Sequence, residues 1–64
     1  MVKAKENDIV QIIKGDWVGA LVHVIELYNW GIQGFVHIPN KGRAFVRIKH
    51  EEYVVIGESY FKIN

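Results

Sequence analysis

The chain has 64 residues, a formal net charge of +1, half of its residues hydrophobic and no cysteine. That length accommodates one small domain, and a domain of this size buries only about 60% of the surface its unfolded chain exposes. A disulfide framework and a thiolate metal site are excluded, no apolar run approaches the roughly 18 residues of a membrane span, and the near-neutral charge argues against binding nucleic acid by bulk electrostatics, so any basic patch must be local. The charged opening from Met1 to Asn7 is not followed by the apolar stretch of a signal peptide. With no cysteine to oxidise, the expectation is a soluble cytoplasmic protein.

The first predicted strand runs from Asp8 to Lys14, is rich in β-branched residues and stops at the turn signal Gly15-Asp16. A longer β-rich segment follows from Trp17 to Leu27, with Gly19 early in it, where glycine commonly marks a bulge or bend. Its apolar residues fall on both parities, which suggests a strand that bends and changes the layer it faces. Tyr28-Asn29-Trp30-Gly31 is the next turn, with Asn29 or Gly31 able to take positive φ.

Strand three is expected from Ile32 to Ile38, a hairpin loop from Pro39 to Arg43, and strand four from Ala44 to Lys49. Alternation assigns Ile32, Gly34, Val36, Ile38, Ala44, Val46 and Ile48 to a core face. It leaves Gln33, Phe35, His37, Phe45, Arg47 and Lys49 outside. With Ile38 opposite Ala44, His37 would lie beside Phe45, Phe35 beside Arg47, and Gln33 beside Lys49. His50 to Tyr53 breaks the alternation and reads as one 3-10 turn. A last strand covers Tyr53 to Ile56, capped by Gly57, and Glu58 to Asn64 is a tail or an added edge strand.

Five short strands with a single 3-10 turn before the last describe an all-β, SH3-like, partly open barrel over residues 7–57, with tails at 1–6 and 58–64. An OB-fold is disfavoured, because only five residues separate strands three and four, where that fold places a helix.

Groups for covalent catalysis are scarce: one serine, Ser59, no threonine and no cysteine. The adjacent Glu51 and Glu52 read as a solvated rim, and Glu26 as a cross-strand partner of Arg47 or Lys49. His23, His37 and His50 lack the spacing of a zinc site. Neither a catalytic site, a metal nor a cofactor is expected. The outward hairpin face is different: Phe35, His37, Phe45, Arg47, Lys49 and Gln33, with Lys41 and Arg43 from the loop and Trp30 at the preceding turn, set rings among cations. Bases stack on such rings while Lys and Arg meet phosphates, and the same residue types dominate protein hot spots. A competing expectation is that Tyr60-Phe61 lies across this face and covers it. Trp17 is expected to plug an open barrel end.

Two resemblances follow from these residues. Asn7-Asp8-Ile-Val-Gln-Ile-Ile-Lys-Gly15, continued through Gly19 to Val24, resembles a KOW-type segment, with Asn7 in place of the first glycine and the later glycine missing. That resemblance implies RNA or protein binding. Trp17, Glu26, Trp30-Gly31-x-Gln33, Pro39, Gly42-x-Ala44-x-x-Arg47 and Ile56-Gly57 resemble small uncharacterised proteins encoded by bacteriophages and prophages, which implies a phage-type origin and the cytoplasm of a bacterial host. The expectation is a non-catalytic binding or accessory protein, monomer or homodimer, with no membrane or metal partner. Its partner is either nucleic acid, as for a KOW-like module, or protein, as for an inhibitor of a host factor or a small virion component.

Overall fold

A computed structural model of the protein describes residues 3–58. Its elements are β1 (Asp8–Ile12), β2 (Leu21–Leu27), β3 (Gly31–Ile38), β4 (Gly42–Lys49), a 3-10 turn (His50–Glu52) and β5 (Tyr53–Glu58). All pairings are antiparallel, in a single sheet of order β4-β3-β2-β1-β5. Four strands therefore form a meander, and the fifth returns across the 3-10 turn to pair with the first. Among the described residues β4 and β5 remain as the edges of the sheet, so the barrel is all-β and partly open.

A single sheet has no second layer to pack on. Its core can be dry only if the sheet coils until one face meets itself. That is what happens here: Val10, Val22, Val24 and Ile32 have no exposed surface. Ile12, Val36, Ile48 and Tyr53 complete the interior with Ala4. Burying a Val or Ile side chain is worth about 1.5–3 kcal/mol, so this short list is the main source of stability. Ala4 belongs to the stretch expected as a tail over residues 1–6, yet it is buried and its N–H donates to the Tyr53 hydroxyl at 3.0 Å. The chain is held there by a turn in which the buried Asp8 carboxylate accepts the Lys5 N–H at 2.7 Å.

Coiling needs irregularities, and two are present. The β2–β3 register shifts between Val24 and Glu26, and the β1–β5 register between Ile9 and Val10. Gly34 serves the same end. A Cβ built on it would overlap the carbonyl oxygen of His23 and a methyl of Val22, so only glycine lets β2 and β3 approach this closely. Gly31 is required for a similar reason, since its Cβ would collide with the Ile48 carbonyl. The sequence suggested positive φ at Asn29 or Gly31. Left-handed backbone is instead found at Asn7, Gly15, Gly19, Asn40 and Gly42.

β1 ends at Ile12, two residues before the expected Lys14: the Ile13 N–H still follows the β1–β5 register to the Glu52 carbonyl at 2.9 Å, but Glu52 already belongs to the 3-10 turn. β2 begins at Leu21, not Trp17. Gly15 and Gly19 both take φ near +90°, and the Ala20 N–H closes a turn on the Trp17 carbonyl, so the β-forming residues between them cannot stay extended. β4 begins two residues early, at Gly42. Pro39 and Asn40 (φ 67°) make the tight turn, closed by the Lys41 N–H on Ile38 O at 3.0 Å. β5 continues through Gly57 to Glu58. Ser59, Tyr60-Phe61 and the rest of the expected tail lie outside the described residues.

Candidate functional site

The alternation that separates inside from outside on β3 and β4 holds. Ile32, Gly34, Val36 and Ile48 are buried and Ala44 and Val46 half-buried, whereas His37, Phe45, Arg47 and Lys49 are exposed. The cross-strand partners differ from the expected ones by two residues. The loop is shorter than supposed, so Ile38 faces Gly42, His37 faces Arg43, Phe35 faces Phe45, Gln33 faces Arg47 and Gly31 faces Lys49. A two-residue slip leaves each side chain on its own face. It changes which groups meet.

The consequence is a ring ladder in place of isolated ring–cation pairs. Phe45 meets Phe35 edge-on at 6.3 Å between centroids. His23, opposite Phe35 on β2, stacks on Phe35 at 5.2 Å, so three adjacent strands each contribute one ring to a single row. The Arg43 guanidinium lies 4.8 Å from the Phe35 ring centre, a cation–π contact. Phe45, at the edge strand, is 70% exposed. His37 and Arg43 form the row toward the turn that carries Lys41, and Gln33 and Arg47 form the row on the other side.

Trp30 is not part of the ladder. It stacks on Tyr28 at 5.1 Å with nearly parallel planes, at the end of the hairpin where Lys49 stands. Tyr28 joins this pair to the face: its hydroxyl donates to the Glu26 carboxylate at 2.7 Å and lies 3.5 Å from Gln33 Oε1. Arg47 Nε donates to the same Gln33 oxygen at 3.0 Å. Glu26 is thus exposed and bound to Tyr28, not paired with Arg47 or Lys49 as the sequence suggested. The donation to Glu26 raises the Tyr28 pKa above its ordinary 10.0; desolvation and the Glu26 charge add to this, and Arg47 opposes it.

His23, Tyr28 and Glu26 are the members that sequence reasoning missed. In an unbroken strand Glu26 would share the inward parity of Val22 and Val24. The register shift after Val24 turns it outward. Doubled apolar parity in β2 is the signal that announces such a bulge, but not its position. Trp17 is 45% exposed and walls a groove with Ile12, Ile48, Glu52 and Arg47, so Arg47 borders both the face and this groove. The groove leaves the expected plug incomplete.

His50 is committed to structure. Its Nε2 is 2.8 Å from the Tyr28 carbonyl, which can only accept, so Nδ1 is left to accept from the Tyr53 hydroxyl at 2.6 Å. That hydroxyl in turn accepts from Ala4. His23 contacts Asn7 Oδ1 at 3.3 Å. Among the described residues no three His, Asp or Glu side chains converge as metal ligands would, and no helix is long and apolar enough to cross a membrane. Comparison with protein families, curated proteins and solved structures finds no match to this chain.

Proposed function

We propose that the protein is a non-catalytic binding module of the phage or prophage accessory kind, acting in the cytoplasm of a bacterial host through the outer face of its β3–β4 hairpin. One observation carries this reading: a phenylalanine, Phe45, stands 70% exposed at the end of an ordered three-ring row with cations on its flanks. Isolated exposed apolar residues are ordinary. A row of rings aligned across three strands and topped by an arginine is a preorganised contact surface of the kind that supplies binding hot spots. Support for the phage-type assignment is the residue pattern from Trp17 to Gly57 described above. The absence of a threonine or cysteine nucleophile supports the non-catalytic reading.

Immobilised protein exposed to bacterial lysate tests this, with retained protein and retained nucleic acid measured separately. The expected result is a macromolecule held by the wild type and lost with Phe45→Ala and with Arg47→Glu, both of which keep the wild-type circular dichroism spectrum. Equal retention by both variants and the wild type would dismiss the face as the binding surface.

A further inference from the structure

The charges of this chain are segregated. Residues 31–49, which form the β3–β4 hairpin, contain Lys41, Arg43, Arg47 and Lys49 and not one Asp or Glu; all seven carboxylates belong to the remaining sequence, beside the other four cations. A net charge of +1 therefore conceals a hairpin of charge +4 joined to an acidic remainder. The register spaces these cations along the exposed face. Arg43 lies one row from the Phe35–Phe45 pair on the turn side, Arg47 one row away on the other side, and Lys49 one row further, a run of about 20 Å at strand spacing. Arg47 bonds to a neutral amide, Gln33, so its charge is not cancelled by that partner.

We propose that the partner of this face is a single-stranded polynucleotide, an inference that rests on the hairpin face being the binding surface. A polyanion matches the four cations, and the carboxylates of neighbouring elements that reach this face are already engaged, Glu26 by the Tyr28 hydroxyl and Glu52 by the Lys49 N–H; a protein partner would need its own acidic patch in register with the cations. Phe45 decides between single strand and duplex. Phe35 is already engaged by His23, by Arg43 and, at nearly a right angle, by Phe45, which leaves Phe45, 70% exposed, as the ring of this row open to a ligand. A base occupies that face only if it is unpaired, since duplex bases are stacked on one another. Phosphates on either side of the stacked base meet Arg43 and Arg47, and the chain continues toward Lys49. The fixed row of rings holds Phe45 in place before binding, so little ordering is lost on contact.

The test is fluorescence anisotropy with labelled dT12, U12 and a 12-base-pair DNA duplex, at 50 and 200 mM salt. The wild type binds at least one single strand more than about tenfold tighter than the duplex. Four phosphate contacts predict that this affinity falls about 50-fold between the two salt concentrations. Phe45→Ala weakens binding by about 5- to 150-fold at either salt concentration, while Phe45→Trp, which restores a stacking surface, retains it. Arg47→Glu weakens binding at low salt and flattens the salt dependence. A preference for U12 over dT12 assigns the partner as RNA, and the reverse as DNA. Absence of saturable binding to both single strands at 50 mM salt, equal affinity for the duplex, or an undiminished Phe45→Ala each overturns the inference. If the oligonucleotides fail while the lysate partner is still lost with Phe45→Ala, the face stands and the partner is a protein; if both fail, the reading of the face falls too.

Discussion

The protein contains two aromatic clusters built from similar residues that behave oppositely. At the corner between the N-terminal turn and the 3-10 turn, Tyr53 is 2% exposed. Its hydroxyl links the Ala4 N–H to His50, whose other nitrogen reaches the Tyr28 carbonyl. The Tyr53 hydroxyl and both His50 ring nitrogens have partners, and the rings act as a clasp between segments 49 residues apart in sequence. Across β2, β3 and β4, His23 stacks on Phe35 and Phe35 meets Phe45, and the row ends in water with the Arg43 guanidinium over Phe35. Aromatic residues in a small barrel do not declare their role by type. What separates clasp from surface is burial: Tyr53 is enclosed at 2% exposure, whereas the last ring of the other row, Phe45, is left 70% open.

The largest expected effect attacks the support that the open cluster depends on. Gly34 lies next to Phe35, directly opposite Val24, and a methyl there would overlap backbone. Gly34→Ala should force β2 and β3 apart, separate His23 from Phe35 and cost about 3 kcal/mol or more. A 64-residue domain has only about 3–10 kcal/mol to lose, so the expected outcome is a chain largely unfolded by circular dichroism at 37 °C. A cooperative melt at the wild-type temperature would show that the strands do not need this approach.

Next comes the clasp. Tyr53→Phe removes one oxygen and leaves the Ala4 N–H and His50 Nδ1 without their buried partner. An unsatisfied buried group costs about 1–3 kcal/mol, equivalent to a fall of roughly 4–20 °C in Tm for a domain of this size. Phe45→Ala deletes a whole ring yet should cost about 1 kcal/mol or less, because that ring is mostly in water and its edge contact with Phe35 is worth about 0.5–1.5 kcal/mol at most. Thermal melts of the two variants side by side sharpen the contrast. If losing the Phe45 ring lowers Tm more than losing the Tyr53 oxygen, the hairpin cluster is structural and the two regions have been assigned the wrong way round.

These contrasts also show what the sequence could and could not reveal. Period-two alternation from Ile32 to Lys49 reports the inside and outside of β3 and β4, because a side chain in the wrong layer of so small a barrel has nowhere to be buried. Register is a finer matter. It depended on Asn40 adopting φ 67° after Pro39, which shortened the loop and paired Phe35 with Phe45 instead of Arg47. Neither alternative violates alternation, so periodicity alone is silent between them. The Trp17–Gly19 segment misleads for a related reason: its side chains favour strands, while two left-handed glycines dictate the backbone. Long-range hydrogen bonds such as Ala4 to Tyr53 leave no mark on local pattern at all.

The smallest effect concerns Tyr28, which stands between the two clusters: its carbonyl serves the clasp through His50, and its hydroxyl serves the open face through Glu26 and Gln33. Because the hydroxyl donates to a carboxylate, its pKa is raised. The folded-state value therefore lies above the unfolded one, and the sign of the linkage follows. The contribution of this bond to folding is present in full below the unfolded pKa near 10 and disappears as pH rises through the folded value. Glu26→Gln keeps an acceptor but removes the charge, so the Tyr28 titration should move back toward its ordinary position, read as the difference in tyrosinate absorbance at 295 nm between variant and wild type. The Tm at pH 7 should hardly move, since this hydroxyl is open to solvent and screened. An unchanged titration would mean that Glu26 does not hold Tyr28, and the link from the Trp30 end of the hairpin to Arg47 would then have to run through Gln33 alone.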